Sequence, residues 1–322
     1  MASTKNPPVK EKFKTMIGGQ ALIEGIMMRG PEKDTIVVRT SKGLETEVHP
    51  RKRSSRKSIK SWPFVRGIFN FFDSQAVGIK ALMRSADLAP EEMQEEPSRF
   101  DKWLEKVLGN ETFQKVIVGI AMVLGVGLSV LLFFLLPMVI SGFLDGAIKS
   151  NLMLNLVEGI IRMVIFVAYM ALISRMGEMK RVFGYHGAEH KTIRCYEAGL
   201  PLTVENARLQ PKHHPRCGTS FLFVVIVVSI LASTLVFSFV DNWKLLWVRI
   251  AVKLLMLIPL VGITYEFNRA VGSHDNKLTR ILSAPGMWMQ NFTTFEPDDG
   301  MLEVAIEALK QVLPAEEGKD QW

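Results

Sequence analysis

The residues best suited to chemistry sit close together in a chain of 322 residues that holds only six histidines and two cysteines. His186, Glu189 and His190 follow the order H-x-x-E-H. On a helix, histidines four apart share a face and can hold one tetrahedral metal ion, and zinc suits imidazole and thiolate donors. Glu189 falls in the same turn, where it could serve as base for a metal-bound water. Such a site needs a third ligand. His214 and Cys217, presented by the turn-forming His214-Pro215-Arg216-Cys217, are the candidates. Cys217 also supports a second chemistry. It follows Arg216 and precedes a long apolar run, and both a cation and a helix N-terminus lower a thiol pKa. Cys217 could then act as a nucleophile with a histidine as its base. The plain alternatives are a solvated polar helix for residues 186–190 and a spectator role for Cys217, with Thr219 or Ser220 as an N-cap. Cys195 reads as structural.

What positions these residues is a set of apolar spans. Val116–Ile140, Leu152–Ile173, Phe221–Val240 and Leu245–Tyr265 each offer about twenty residues of membrane-helix character. They predict a mainly α fold: a four-helix transmembrane bundle over 116–265, with the His/Cys segment 174–220 between its second and third helices. The connections 141–151 and 241–244 are short and nearly uncharged, whereas 174–220 carries Arg175, Lys180, Arg181, Lys191 and further basic residues. The positive-inside rule then sets both termini and 174–220 in the cytosol, as expected of an integral protein of a bacterial plasma membrane or its equivalent. Charges inside spans are expensive and need a reason. Glu158 and Arg162 lie one turn apart on the second span, as do Arg249 and Lys253 on the fourth. They predict contact between these helices with Glu158 facing a basic residue, or a site for an anionic headgroup or substrate.

The flanking segments are amphiphilic. Residues 1–15 read as a polar, disordered arm with no cleavable signal, which leaves the first span to direct insertion. Residues 16–50 read as a small β-rich unit with a hairpin of 35–40 and 44–49 around Ser41-Lys42-Gly43. Gln20 and Glu24 in this unit could lend polar groups to a site. Residues 51–115 comprise a basic block, an apolar helix over Trp62–Leu88 with a narrow polar stripe, and an acidic linker at 89–99. The helix suits either the membrane interface or packing on the rest of the protein. Residues 266–322 read as a turn-rich stretch followed by a soluble helix over 300–313, capped by Pro297-Asp298-Asp299.

At this point the chain resembles a family. Residues 18–29 (GGQALIEGIMMR), 185–193 (YHGAEHKTI), 214–221 (HPRCGTSF) and 293–299 (TTFEPDD) look like the signatures of the YqhQ-like integral membrane proteins. The likeness runs from about residue 16 to 312. It implies a metal-dependent enzyme of unnamed reaction, and a family-pattern histidine at His214 rather than His213.

Composition narrows the classes. Lys and Arg outnumber Asp and Glu by 39 to 32, and a pI near 9.3 suits an anionic membrane face. No nucleic-acid motif is present, and two cysteines are too few for a disulfide scaffold. The expected partners are a lipid bilayer, anionic lipid within it, and other membrane proteins. The leading expectation is a zinc-dependent hydrolase on a membrane-proximal peptide or lipid-linked substrate, with metal ligands His186, His190, His214 and Cys217 and base Glu189. The alternative is a scaffold for membrane complexes in which the His/Cys segment is structural. Metal transport fits less well, because the charges inside the spans are mainly basic.

Overall fold

The computed structural model describes residues 11–51, 59–90, 110–144, 146–237, 239, 245–274, 276–316 and 318–321, with the backbone alone at 110–115 and Leu246. The expectations for residues 1–10, for most of the basic block at 52–58, and for the linker and the residues that follow it, 91–109, lie outside the described residues.

The fold is mainly helical, with one small sheet. Strands β1 (Gly18–Leu22), β2 (Gly25–Arg29), β3 (Lys33–Thr40) and β4 (Gly43–Pro50) form an antiparallel meander in chain order. Among the described residues there are nine α-helices. They are α1 (Val65–Leu88), α2 (Asn110–Val130, continued by a π turn at Leu131–Leu135 and by Leu136–Gly142), α3 (Asn151–Ile173), α4 (Gly177–Glu197), α5 (Val204–Arg208), α6 (Gly218–Val236), α7 (Leu246–Ser273), α8 (Lys277–Thr293) and α9 (Asp299–Val312). Four stretches are long and apolar enough to cross a membrane: Val116–Gly142, Asn151–Ile173, Gly218–Val236 and Trp247–Ser273. These are the four expected spans, and they mark a membrane protein. The chain divides into two compact units, one of Met1–Pro90, Met170–Ser229 and Lys244–Trp322, the other of Glu91–Tyr169 and Ile230–Trp243.

In the larger unit the sheet is covered on both faces, which explains why β2 is buried along almost its whole length. Period-two alternation sends Ile26, Met28 and Val37 towards α4 and α9, and Leu22, Met27, Ile36 and Val38 towards Ala81 of α1. The expected hairpin is β3–β4, with Val37 opposite Thr46. Helix α9 begins where Asp298 accepts from Met301 N at 2.8 Å, so the predicted cap is present. Its apolar stripe fills the core between α4 and the sheet.

Three expectations need correction. Residues 11–15 are not a loose arm: Lys12 N donates to Glu197 O at 2.8 Å, Thr15 N donates to Glu197 Oε1 at 2.8 Å, and Phe13 stacks edge-on against Tyr196. The fourth span does not end at Tyr265 but continues as helix to Ser273. Its polar end is received by α1, where Arg66 Nε donates to Glu266 Oε1 at 2.7 Å and Asn70 Nδ2 to Tyr265 Oη at 2.8 Å. The stretch around Ala284-Pro285-Gly286 is helical rather than a turn. A capping box at Asn276 starts α8, and the Thr294 amide and hydroxyl close it on Gln290 O, which offsets the donor lost at Pro285.

Helix α1 packs one face on the sheet. Its small residues Gly67, Gly78, Ala81 and Ser85 are buried, while Phe69, Phe72, Ile79 and Leu82 remain exposed.

The smaller unit shows how a charge is kept among apolar helices. Glu158 and Arg162 pair at 2.8 Å one turn apart on α3. Arg162 Nε donates to Phe133 O at 2.8 Å. That carbonyl would ordinarily accept from the residue four ahead, which is Pro137 and has no N–H. The guanidinium satisfies what the proline leaves open. Arg249, buried, and Lys253 lie one turn apart on α7 as expected.

The core of the larger unit can be tested directly. Leu302 is fully buried between α4 and the sheet, so Leu302→Ala should cost about 2–5 kcal/mol and lower the thermal midpoint of the detergent-solubilised chain. The exposed Leu172 should tolerate the same change in that assay.

Candidate functional site

Helix α4 is not a solvated surface helix. Twelve of its 21 residues are buried, among them Glu189, His190, Lys191 and Glu197. A helix this polar can be buried only if other segments supply partners, and those partners make the site.

His186 is oriented by the last residue of α8. Its Nδ1 lies 2.7 Å from Thr293 O, and since a carbonyl only accepts, Nδ1 carries the proton. The approach depends on Gly187, where any Cβ would run into Phe295 O, and it is secured by Phe295 N donating to Phe183 O at 2.8 Å. His190 is oriented in the same way by the loop before α6, with Nδ1 2.6 Å from Lys212 O. Both imidazoles therefore present an unprotonated Nε2 when neutral. The rings stand 4.4 Å apart, and His186 Nε2 is 3.1 Å from Cys217 Sγ. Ligand atoms of His186, His190 and Cys217 all lie within 4.8 Å of one another, close enough to hold one metal ion.

Glu189 adjoins this trio. Its Oε1 accepts from Gly19 N at 2.8 Å, and a Cβ at Gly19 would fall 3.0 Å from the Glu189 carboxyl carbon and 2.6 Å from Met27 O. The other oxygen, Oε2, is buried with no hydrogen-bond partner. A cavity of about 150 Å³ is lined by His186, Glu189, His190, His214 and Cys217 together with residues 15–19.

The electrostatics favour a charged pair. Burial would push the Cys217 thiol up, but the imidazoles of His186 and His190 outweigh it and hold the thiol well below its usual range. Burial likewise opposes a charge on His186, yet the Cys217 sulfur beside it raises that group to about 9. Glu189 is raised, chiefly by burial. Cys217 is also 3.1 Å from Thr219 Oγ1. The arrangement can bind a metal through two nitrogens and a sulfur, or hold a thiolate against an imidazolium.

The other expected residues lie apart from the trio. His214 has its ring 5.6 Å from that of His190, but its Nε2 faces Glu197 Oε2 at 3.3 Å and Arg216 Nη2 at 3.3 Å. Burial, then Arg216, holds His214 well below the usual imidazole range. Gln20 rests its amide against Gly78 of α1. Glu24 adopts φ of +49° in the β1–β2 turn, and Arg181 clasps its carboxylate with two bonds of 2.5 Å while Tyr185 Oη donates at 3.1 Å. The N-terminal unit therefore joins the site through the backbone of Gly19, not through Gln20 or Glu24. Glu158, Arg162, Arg249 and Lys253 are on membrane-type helices and do not line the cavity.

Two residues were absent from the sequence expectations. Glu197 is fully buried and paired with Arg216. Its sequence signal was its place eleven residues after His186, which returns to the same helical face. Gln290 fixes the 214–217 turn: His214 N donates to its Oε1 at 2.8 Å, and its Nε2 donates to His214 O at 2.7 Å. No sequence spacing linked the two.

Fold and site together define a membrane protein in which histidines and a glutamate of a buried polar helix meet a cysteine from the turn before a span. The chain belongs to the family described as "Protein of unknown function (DUF1385)", whose model matches residues 62–315. It is similar to the uncharacterized protein YqhQ of Bacillus subtilis (strain 168), with 32% identity over 317 residues, covering 97% of this chain and 96% of that one. No solved structure matches the chain.

Two measurements check this geometry. In chelator-treated protein at neutral pH, iodoacetamide should modify Cys217 and spare Cys195, read by peptide mass spectrometry. Cys195 is buried, and burial pushes its thiol up to about 11. Glu197→Ala should destabilise the fold by about 3–5 kcal/mol, because it strands Arg216 without its buried counter-charge. A midpoint unchanged in thermal unfolding would contradict that role.

Proposed function

We propose that this protein is a metal-dependent hydrolase built into a membrane, with zinc held by His186 Nε2, His190 Nε2 and Cys217 Sγ. One observation carries the reading: each histidine gives its Nδ1 to a backbone carbonyl, Thr293 O or Lys212 O, which leaves Nε2 of each as the available donor, and ligand atoms of both rings and of Cys217 lie within 4.8 Å of one another. Ligating histidines are typically fixed in this way by their second nitrogen. Three protein ligands with a neighbouring cavity fit a catalytic rather than a closed structural site. Zinc held there would supply Lewis acidity and make water more acidic. Glu189 is the base: Gly19 N anchors one oxygen, the other is free to take a proton, and burial raises its affinity for one. In this reading His214 supports the site through Glu197 and Arg216 and is not a first ligand.

The basic residues around α4 favour a cytosolic placement of this unit and of both termini, and the spans on either side favour a substrate at the membrane surface. A second reading rests on the 3.1 Å contact of His186 with Cys217, which suits a thiolate nucleophile with an imidazole partner.

Metal content separates the two. Protein purified without chelator should carry about one zinc per chain, and His186→Ala, His190→Ala or Cys217→Ala should lose it. Glu189→Gln should keep the metal while hydrolysis across a panel of peptide and phosphoester substrates falls about 10²-fold or more. Metal-free protein with full turnover would assign the chemistry to the thiol. An active, zinc-loaded Glu189→Gln variant would remove Glu189 as base.

A further inference from the structure

A second cavity, of about 740 Å³, lies in the same unit and shares Arg216 with the first. Its volume is that of a small-molecule site. Its lining is unusual in charge: Lys12, Lys14, Arg194, Arg216 and Arg280 face one carboxylate, Glu11. That carboxylate is already matched, since Arg194 Nη1 holds Glu11 Oε1 at 3.0 Å. Arg216 is matched in turn by Glu197, and the charges of Lys12 and Lys14 stand in addition to these pairs among the described residues. The Arg216 side chain is only 9% exposed, and its Nη1 is buried with no hydrogen-bond partner, although Nη2 is spent on Glu197. A buried guanidinium N–H without an acceptor is costly, and an anion is its natural complement.

Part of the remaining wall is apolar and adjoins the end of a helix of membrane-spanning character. Val271 and Gly272 belong to the last turn of the span Trp247–Ser273, and Phe13 and Met287 add further apolar wall. Helix α8, which supplies Arg280 and Met287, turns Leu278, Ile281 and Trp288 outwards, exposed by 63%, 69% and 50%. These three fall on one helical stripe, as in a helix lying in the headgroup layer. Basic pockets beside the ends of membrane helices are suited to phosphate headgroups.

We infer that this cavity binds a phosphate-bearing anion carried on an amphiphile, with Lys14, Arg216 and Arg280 holding the phosphate and the Phe13–Met287 wall receiving the apolar part. The site rests on its own lining and stands whether or not the neighbouring cluster holds a metal. Because Arg216 lines both spaces, the bound headgroup adjoins the His/Cys/Glu cluster.

The test uses the full chain in detergent, titrated with phosphatidylglycerol or phosphatidylcholine and read by native mass spectrometry. Phosphatidylglycerol should bind at least tenfold more tightly. The double variant Lys14→Gln/Arg280→Gln should bind it about 25-fold more weakly, taking roughly fivefold per basic side chain. Lys33→Gln/Lys42→Gln, which removes two exposed charges elsewhere, should bind as the parent does. All variants are compared at matched thermal midpoints. Equal binding of the two lipids, or equal losses in both double variants, would overturn the site. Displacement of phosphatidylglycerol by inorganic phosphate at similar concentration would reassign it to a soluble anion and overturn the amphiphile.

Discussion

Glu197 is the charge on which the larger unit closes. It is fully buried, and an isolated carboxylate in that position would cost far more than a domain's net stability. Three residues from two segments answer it: Thr15 from the N-terminal side, and His214 and Arg216 from the turn before α6. Its own carbonyl also receives Lys12 N and Phe13 N. Satisfying one side chain therefore draws the start of the chain, the end of α4 and the entry to a span into register. Cys217 follows directly after Arg216, so its position near His186 depends on that same closure.

The rest of α4 follows the same logic at smaller cost. His186, Glu189 and His190 each take a backbone group from a different place, Thr293 O, Gly19 N and Lys212 O. Backbone partners cannot be lost by rotamer change, so the tautomers and the carboxylate are fixed by the fold rather than by other side chains. The glycines at 19 and 187 matter here because they let backbone come within bonding range of α4. What remains unsatisfied is confined to Glu189 Oε2 and Arg216 Nη1 among the groups that line the two cavities. Buried polar atoms without partners are uncommon in folded proteins. Both belong to residues that line the spaces where ligand chemistry would occur.

The smaller unit handles charge differently. Its helices are apolar, and Glu158 with Arg162 is tolerated because the two charges pair on one helix and the guanidinium also serves the carbonyl exposed by Pro137. A proline and an ion pair that would each be costly alone are compatible together.

The sequence by itself determined the classes of element. The four spans were readable because bilayer thickness imposes a run length that few soluble helices reach. The β3–β4 hairpin and the capped helix α9 were readable from local alternation and from Asp298, since both depend on near neighbours. The pairing of His186 with His190 was readable because helical geometry alone places residues four apart on one face. Only the tertiary structure decided the site. That Cys217 rather than His214 stands within reach of both imidazoles, that Gly19 rather than Gln20 or Glu24 meets Glu189, and that Glu197 anchors the whole depend on contacts between residues 17 to 182 positions apart. No local periodicity encodes such contacts. They exist because a polar helix was buried, and each of its groups had to find a partner wherever the chain could supply one.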